Sequence, residues 1–248
     1  MGQPLRAAAG AVIGVGLAIM GGGCKTVYVP NAVNAPLLSQ KGELRASLSG
    51  NNLQAAYAVS DSVGLIANGF WQKTSGDQNA ASGSDGKGHL LELGAGHFRS
   101  IGDLLLFETY AGLGLGAVEH DNWEQVNGAR SDYRFSASAI KAFVQPSLGI
   151  TRNYFDAVLS TRFVALKPYD TEAVNYPEAR LRADDLFGLD QHTFGFIEPA
   201  VTVRAGYKWV KLFVQYGFSL KINETPLNRD VNFINAGLHV DFAPRFSL

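Results

Sequence analysis

The chain has 248 residues, with 21 Lys and Arg against 22 Asp and Glu, 28 glycines and a single cysteine. A formal net charge of −1 offers no basic surface for nucleic acid, one cysteine excludes an intrachain disulfide, and the length suits one domain. Beyond residue 23 no stretch approaches the roughly 20 apolar residues of a spanning helix, so a membrane could be crossed only by strands.

Residues 1–23 have the anatomy of a secretory signal peptide: Arg6 early, the apolar run AAAGAVIGVGLAIM, then small residues. Gly23 followed by Cys24 resembles the end of a bacterial lipobox, although Gly21 stands where that motif usually has Leu. The resemblance implies that Cys24 takes a diacylglycerol. Residues 24–41 contain Pro30 and Pro36 and show no sustained alternation, so they read as an extended, lipidated tether.

From residue 42 the pattern changes. About ten segments alternate with a period of two, near 42–50, 53–60, 63–73, 88–99, 103–119, 134–151, 154–168, 193–207, 210–222 and 231–242. The clearest is the ninth, where Leu212, Val214, Tyr216, Phe218, Leu220 and Ile222 share one side. Connections alternate as well. Tight turns at Asp61 and Ser62, 100–102, Arg152 and Asn153, and Lys208 and Trp209 alternate with long polar loops at 74–87, 120–133 and 169–192. No helical segment is expected. The fold predicted is an all-β, antiparallel, up-and-down transmembrane barrel of about ten strands over residues 42–248, or eight strands with an appended hairpin.

The two faces differ in chemistry. Apolar residues such as Leu91, Leu93, Leu113, Leu115, Val144, Leu159, Val201 and Leu238 fall on one side, which is assigned to lipid. Glu43, Arg45, Glu92, Glu108, Lys141, Asp156, Arg162, Glu198, Arg204, Lys211, His239 and Asp241 fall on the other, facing the lumen. A basic residue at the bilayer midplane costs about 2–4 kcal/mol, which accounts for the sorting. Tyr57, Phe107, Phe155, Tyr207 and Phe242 point outward near the short-turn end, as an interfacial girdle would. In the third segment Ile66 and Phe70 compete with Leu65 and Trp71 for the outside, and His97 lands on the lipid side.

These features resemble the small outer-membrane β-barrels of Gram-negative bacteria, lipoprotein members in particular. The last strand, from Asn235 through Gly237, Val240 and Phe242, is similar to their C-terminal assembly signal, with the six residues 243–248 following it. The resemblance implies insertion by the barrel-assembly machinery, short turns and both termini in the periplasm, and long loops outside. Inward charges of both signs predict an ion-paired, plugged lumen with a structural or surface-interaction role. A narrow solute channel and a lipid-anchored soluble barrel that binds a ligand inside are the alternatives. Asp184, Asp185, Asp190 and His192 are similar to the acidic and Asp-His pairs of the omptin proteases, and a solvated loop explains them equally. No cofactor and no metal site are expected, the five histidines being dispersed.

Overall fold

The structure, a computed structural model, describes residues 26–126 and 128–242. The strands are β1 (Leu44–Ser49), β2 (Asn52–Ala58), β3 (Val63–Thr74), β4 (Ser82–Ile101), β5 (Leu105–Val126), β6 (Ala129–Thr151), β7 (Phe155–Val174), β8 (Phe194–Tyr207), β9 (Val210–Phe218), β10 (Leu220–Lys221) and β11 (Asn232–Phe242). Every neighbouring pair is antiparallel, β9 joins β8 to β11, and β11 joins β1. That closes a ten-stranded barrel, with β10 as a two-residue prolongation of β9 against β8. β1 and β2 belong to the wall, so the version with eight strands and a hairpin is set aside.

Alternation sets the faces. Leu212, Val214, Tyr216, Phe218, Leu220 and Ile222 are all exposed, whereas Lys211, Phe213 and Gln215 between them are buried. In β3 the outside goes to Leu65 and Trp71, while Ile66 and Phe70 are buried. The reason is register: Ile66 and Phe70 share a face with Asn68, which reaches Glu92 inside. The barrel needs room for such inward neighbours. A Cβ on Gly112 would stand 2.6 Å from the Phe143 ring, and one on Gly114 would stand 3.0 Å from Cγ of Glu92.

The short-turn end carries an outward aromatic belt. Tyr57, Phe155, Tyr207 and Phe242 are exposed there, Phe107 is half-buried under Arg99, and Tyr154 and Tyr207 have ring centroids 5.5 Å apart.

At the opposite end the polar loops are smaller than expected. β4 begins at Ser82, and β5 and β6 continue to Val126 and Ala129, so most of 120–133 is strand rather than loop. Segment 169–192 contains a helix, α1 (Glu178–Ala183), and a 3-10 turn (Leu189–Gln191), which correct the expectation of no helix. Pro177 precedes the first turn, Glu178 pairs with Arg182 at 2.7 Å, and the residues EARLRA are mostly good helix formers. Six residues are too few to show a period. Leu186 and Leu189 are buried in one cluster with Phe135, Tyr176 and Phe194, so this loop folds onto the mouth instead of standing free in solvent.

Candidate functional site

The lumen gathers almost all the buried charge. Glu43, Arg45, Glu92, Glu108, Lys141, Asp156, Arg162, Glu198, Arg204, Lys211, His239 and Asp241 are each at least 97% buried on the inner face. They form two groups. In the half nearer the loops, Arg162 lies between Glu198 at 2.8 Å and Glu92 at 3.6 Å, and Lys141 reaches Glu92 at 2.9 Å. Nearer the turns, Lys211 meets Asp156 at 2.7 Å, Arg204 approaches Asp156 at 3.7 Å, and Arg45 lies 3.2 Å from Asp241. His239 Nδ1 lies 2.9 Å from the Ser47 hydroxyl.

Between these groups runs the N-terminal segment. Residues 30–38, expected in a periplasmic tether, are all buried, and they thread the lumen outside any strand, with a left-handed turn of the backbone at Leu37. This corrects the tether reading for residues 26–40. A closed barrel has no free strand edge, so a segment inside it finds no sheet to join, and its backbone groups must be met by side chains. The wall supplies them. Six successive carbonyls, from Asn31 to Pro36, accept from Arg162 (2.7 Å), Gln54 (3.0 Å), Gln215 (2.9 Å), Gln145 (2.8 Å), Arg204 (2.6 Å) and Arg45 in turn. Three backbone N–H groups donate: Val33 to Gln215 (2.7 Å), Leu37 to Glu108 (2.9 Å) and Ser39 to Glu43 (2.7 Å). Pro30 and Pro36 bring no N–H to satisfy, which suits them to such a place.

Side chains of the segment complete the charge network. Asn31 donates to Glu92 at 2.8 Å and accepts from Lys141 at 2.8 Å, and Asn34 donates to Asn68 at 2.8 Å. The Tyr28 hydroxyl donates to Glu198 at 2.6 Å while its ring stacks on Phe196 at 4.6 Å. Toward the turns Leu38 fills the space over Gly64, where a Cβ would come within 2.7 Å of it.

The direction of threading fixes which mouth each end reaches. Lys41 N–H bonds Asp61 in the β2–β3 turn, at the same end as Phe242. At the other end the Thr26 carbonyl lies 2.8 Å from His120 Nε2, Val27 donates to Asn228, and Tyr28 bridges to Arg229. Thr26 and Phe242 therefore sit at opposite mouths, while both termini, expected on one side, fall outside the described residues. Cys24, the expected lipidation site, and the signal segment fall outside the described residues.

Between the upper end of the plug and strands β3–β7 lies a small cavity of mostly apolar lining, including Phe70, Leu90, Val118 and Leu166. Of the loop residues similar to a protease's acidic and Asp-His pairs, Asp184 accepts from Tyr176 and lies 3.5 Å from Arg180, and His192 packs edge-on against Phe194. Among the described residues no group of His, Cys, Asp or Glu has the arrangement of a metal site. No protein-family model matches the chain, and no curated protein matches it either.

The double contact of Gln215 with Val33 gives a direct test of the plug's seating. Gln215→Leu leaves a buried N–H and a buried carbonyl without partners, each worth about 1–3 kcal/mol. Urea unfolding of the reconstituted protein should show a loss of that order. A change within the ordinary surface range of about 0.5 kcal/mol would mean that the plug is not held there.

Proposed function

We propose that the protein is an outer-membrane β-barrel lipoprotein of Gram-negative type, closed by its own N-terminal segment, with a structural or surface-interaction role rather than transport or catalysis. One observation carries the reading: apolar residues occupy the outside of the barrel and charges the inside, the reverse of a water-soluble barrel. On β6 the outward positions from Ile140 to Ile150 hold no charge. At a strand tilt near 40° they span about 26 Å, close to the apolar band of such proteins. The same sorting disfavours a lipid-anchored soluble barrel.

Orientation follows from loop length, with turns toward the periplasm and loops outward. Lipidation of Cys24 stays part of the proposal. The last strand, with Gly237, Val240 and Phe242, is the segment proposed for recognition by the assembly machinery.

The test is a charge placed on the outer face. Leu113 is 61% exposed at mid-band, and Leu113→Arg should cost about 2–4 kcal/mol in denaturant unfolding from phospholipid vesicles. A barrel whose outer face meets water would tolerate the same change. In parallel, a Cys24→Ser chain should stay in the membrane pellet after alkaline extraction; release into the supernatant would refute spanning.

A further inference from the structure

We propose that the lumen is a binding site for a polypeptide, recognised through its main chain, and that the chain's own residues 26–40 are the resident ligand. Six consecutive carbonyls are each met by a different wall side chain: Arg162, Gln54, Gln215, Gln145, Arg204 and Arg45. These come from six different strands, β7, β2, β9, β6, β8 and β1, so the reading groups surround the peptide instead of lining one edge. Gln215 also accepts from the Val33 N–H, so that one side-chain amide pairs with both backbone groups of a single residue, as a neighbouring strand would.

What is read in this way is the peptide backbone, which every sequence shares. Sequence enters at few places. Asn31 and Asn34 are held by their amides, and Tyr28 and Leu38 fill fitted space, whereas the Ala32 and Val33 side chains make no polar contact. In peptide recognition of this type main-chain bonds give affinity and side-chain pockets give specificity. The ligand class is therefore a peptide of fifteen residues, as in 26–40, with small side chains through its centre and an amide at the positions of Asn31 and Asn34. Such a peptide could come from a partner protein. The site holds whether the outer face meets lipid or detergent, so it stands or falls apart from the membrane reading.

The experiment uses the whole chain, as Cys24→Ser, with a specific protease site inserted at the exposed turn between Lys41 and Gly42. After folding in detergent the site is cut, which leaves the segment held without a covalent link. The cut segment is expected to co-elute with the barrel. It should then exchange, at mild urea concentration, for a fluorescent synthetic peptide of residues 26–40. A second labelled peptide, with the order of Ala32, Val33 and Ala35 permuted and both asparagines kept, should bind within about tenfold of the first. Gln145→Leu, which removes a main-chain contact, should weaken both peptides alike by about fivefold or more. Loss of the cut segment with no binding of either peptide overturns the proposal. So does failure of label to enter at all, and so does a permuted peptide weaker by about a hundredfold or more, which would make the lumen a lock for one sequence.

Discussion

Deletion of residues 26–40 is expected to convert a silent barrel into a conducting one. An extended chain with its side chains fills a bore about 10 Å across, and in the intact protein residues 30–38 are buried along the lumen axis. Removing them takes away the ligand of six wall side chains at once and leaves Glu108 and Glu198 without the Leu37 N–H and the Tyr28 hydroxyl. Buried groups of that kind draw in water when space allows. Planar-bilayer recording should give no current steps for the intact chain and discrete steps for the deletion, once an altered gel mobility on heating shows that the deletion has folded. Conduction by the intact chain, or silence from a folded deletion, would sink the plug as the element that closes the pore.

The second large effect is expected at Arg162. This guanidinium donates to Glu198 and to the Asn31 carbonyl and lies near Glu92, all fully buried. Arg162→Met leaves Glu198 without a cationic partner and Glu92 with Lys141 alone. Removing one partner of a buried ion pair costs about 3–5 kcal/mol, because the other charge stays desolvated. Replacing the pair together, as Arg162→Met and Glu198→Gln, should recover most of that loss, since Glu92 then keeps Lys141 at 2.9 Å and no charge is stranded. Denaturant midpoints of the single and double variants check both statements. A single variant as stable as the parent would show that water reaches Glu198.

The wall was readable in the sequence and its filling was not. A strand's period of two is local, so residues such as Val214 and Lys211 declare their faces to any reader of ten residues. The plug depends on contacts between distant residues: Val33 with Gln215, 182 positions on, and Asn31 with Arg162, 131 positions on. No local period records those. Two signs were nonetheless present. Residues 27–38 are too apolar for a solvated linker, with Val27, Val29, Val33, Leu37 and Leu38 among them, and the inward amides Gln54, Asn68, Gln145 and Gln215 need partners that the opposing charges do not supply. The loops were misjudged for a different reason. The outer parts of β4 to β7 lie beyond the apolar band, where alternation is between polar residues and carries no hydropathy signal.

Because β1 follows the threaded segment directly and pairs with β11, the last strand, the barrel's seam joins the beginning of the chain to its end. The segment therefore has to be laid across the open sheet before that seam shuts, or be fed afterwards through a nearly finished cylinder. Contacts spanning most of the sequence make for slow folding, and here they also set an order of events: side chains from β2 and β6 to β9 converge on residues 31–35 before any of them can reach water again. The N-terminal segment then acts as a template on which the cylinder is gauged, and a chain mispaired by two residues at the seam would part Arg45, which holds Pro36, from Asp241 across it.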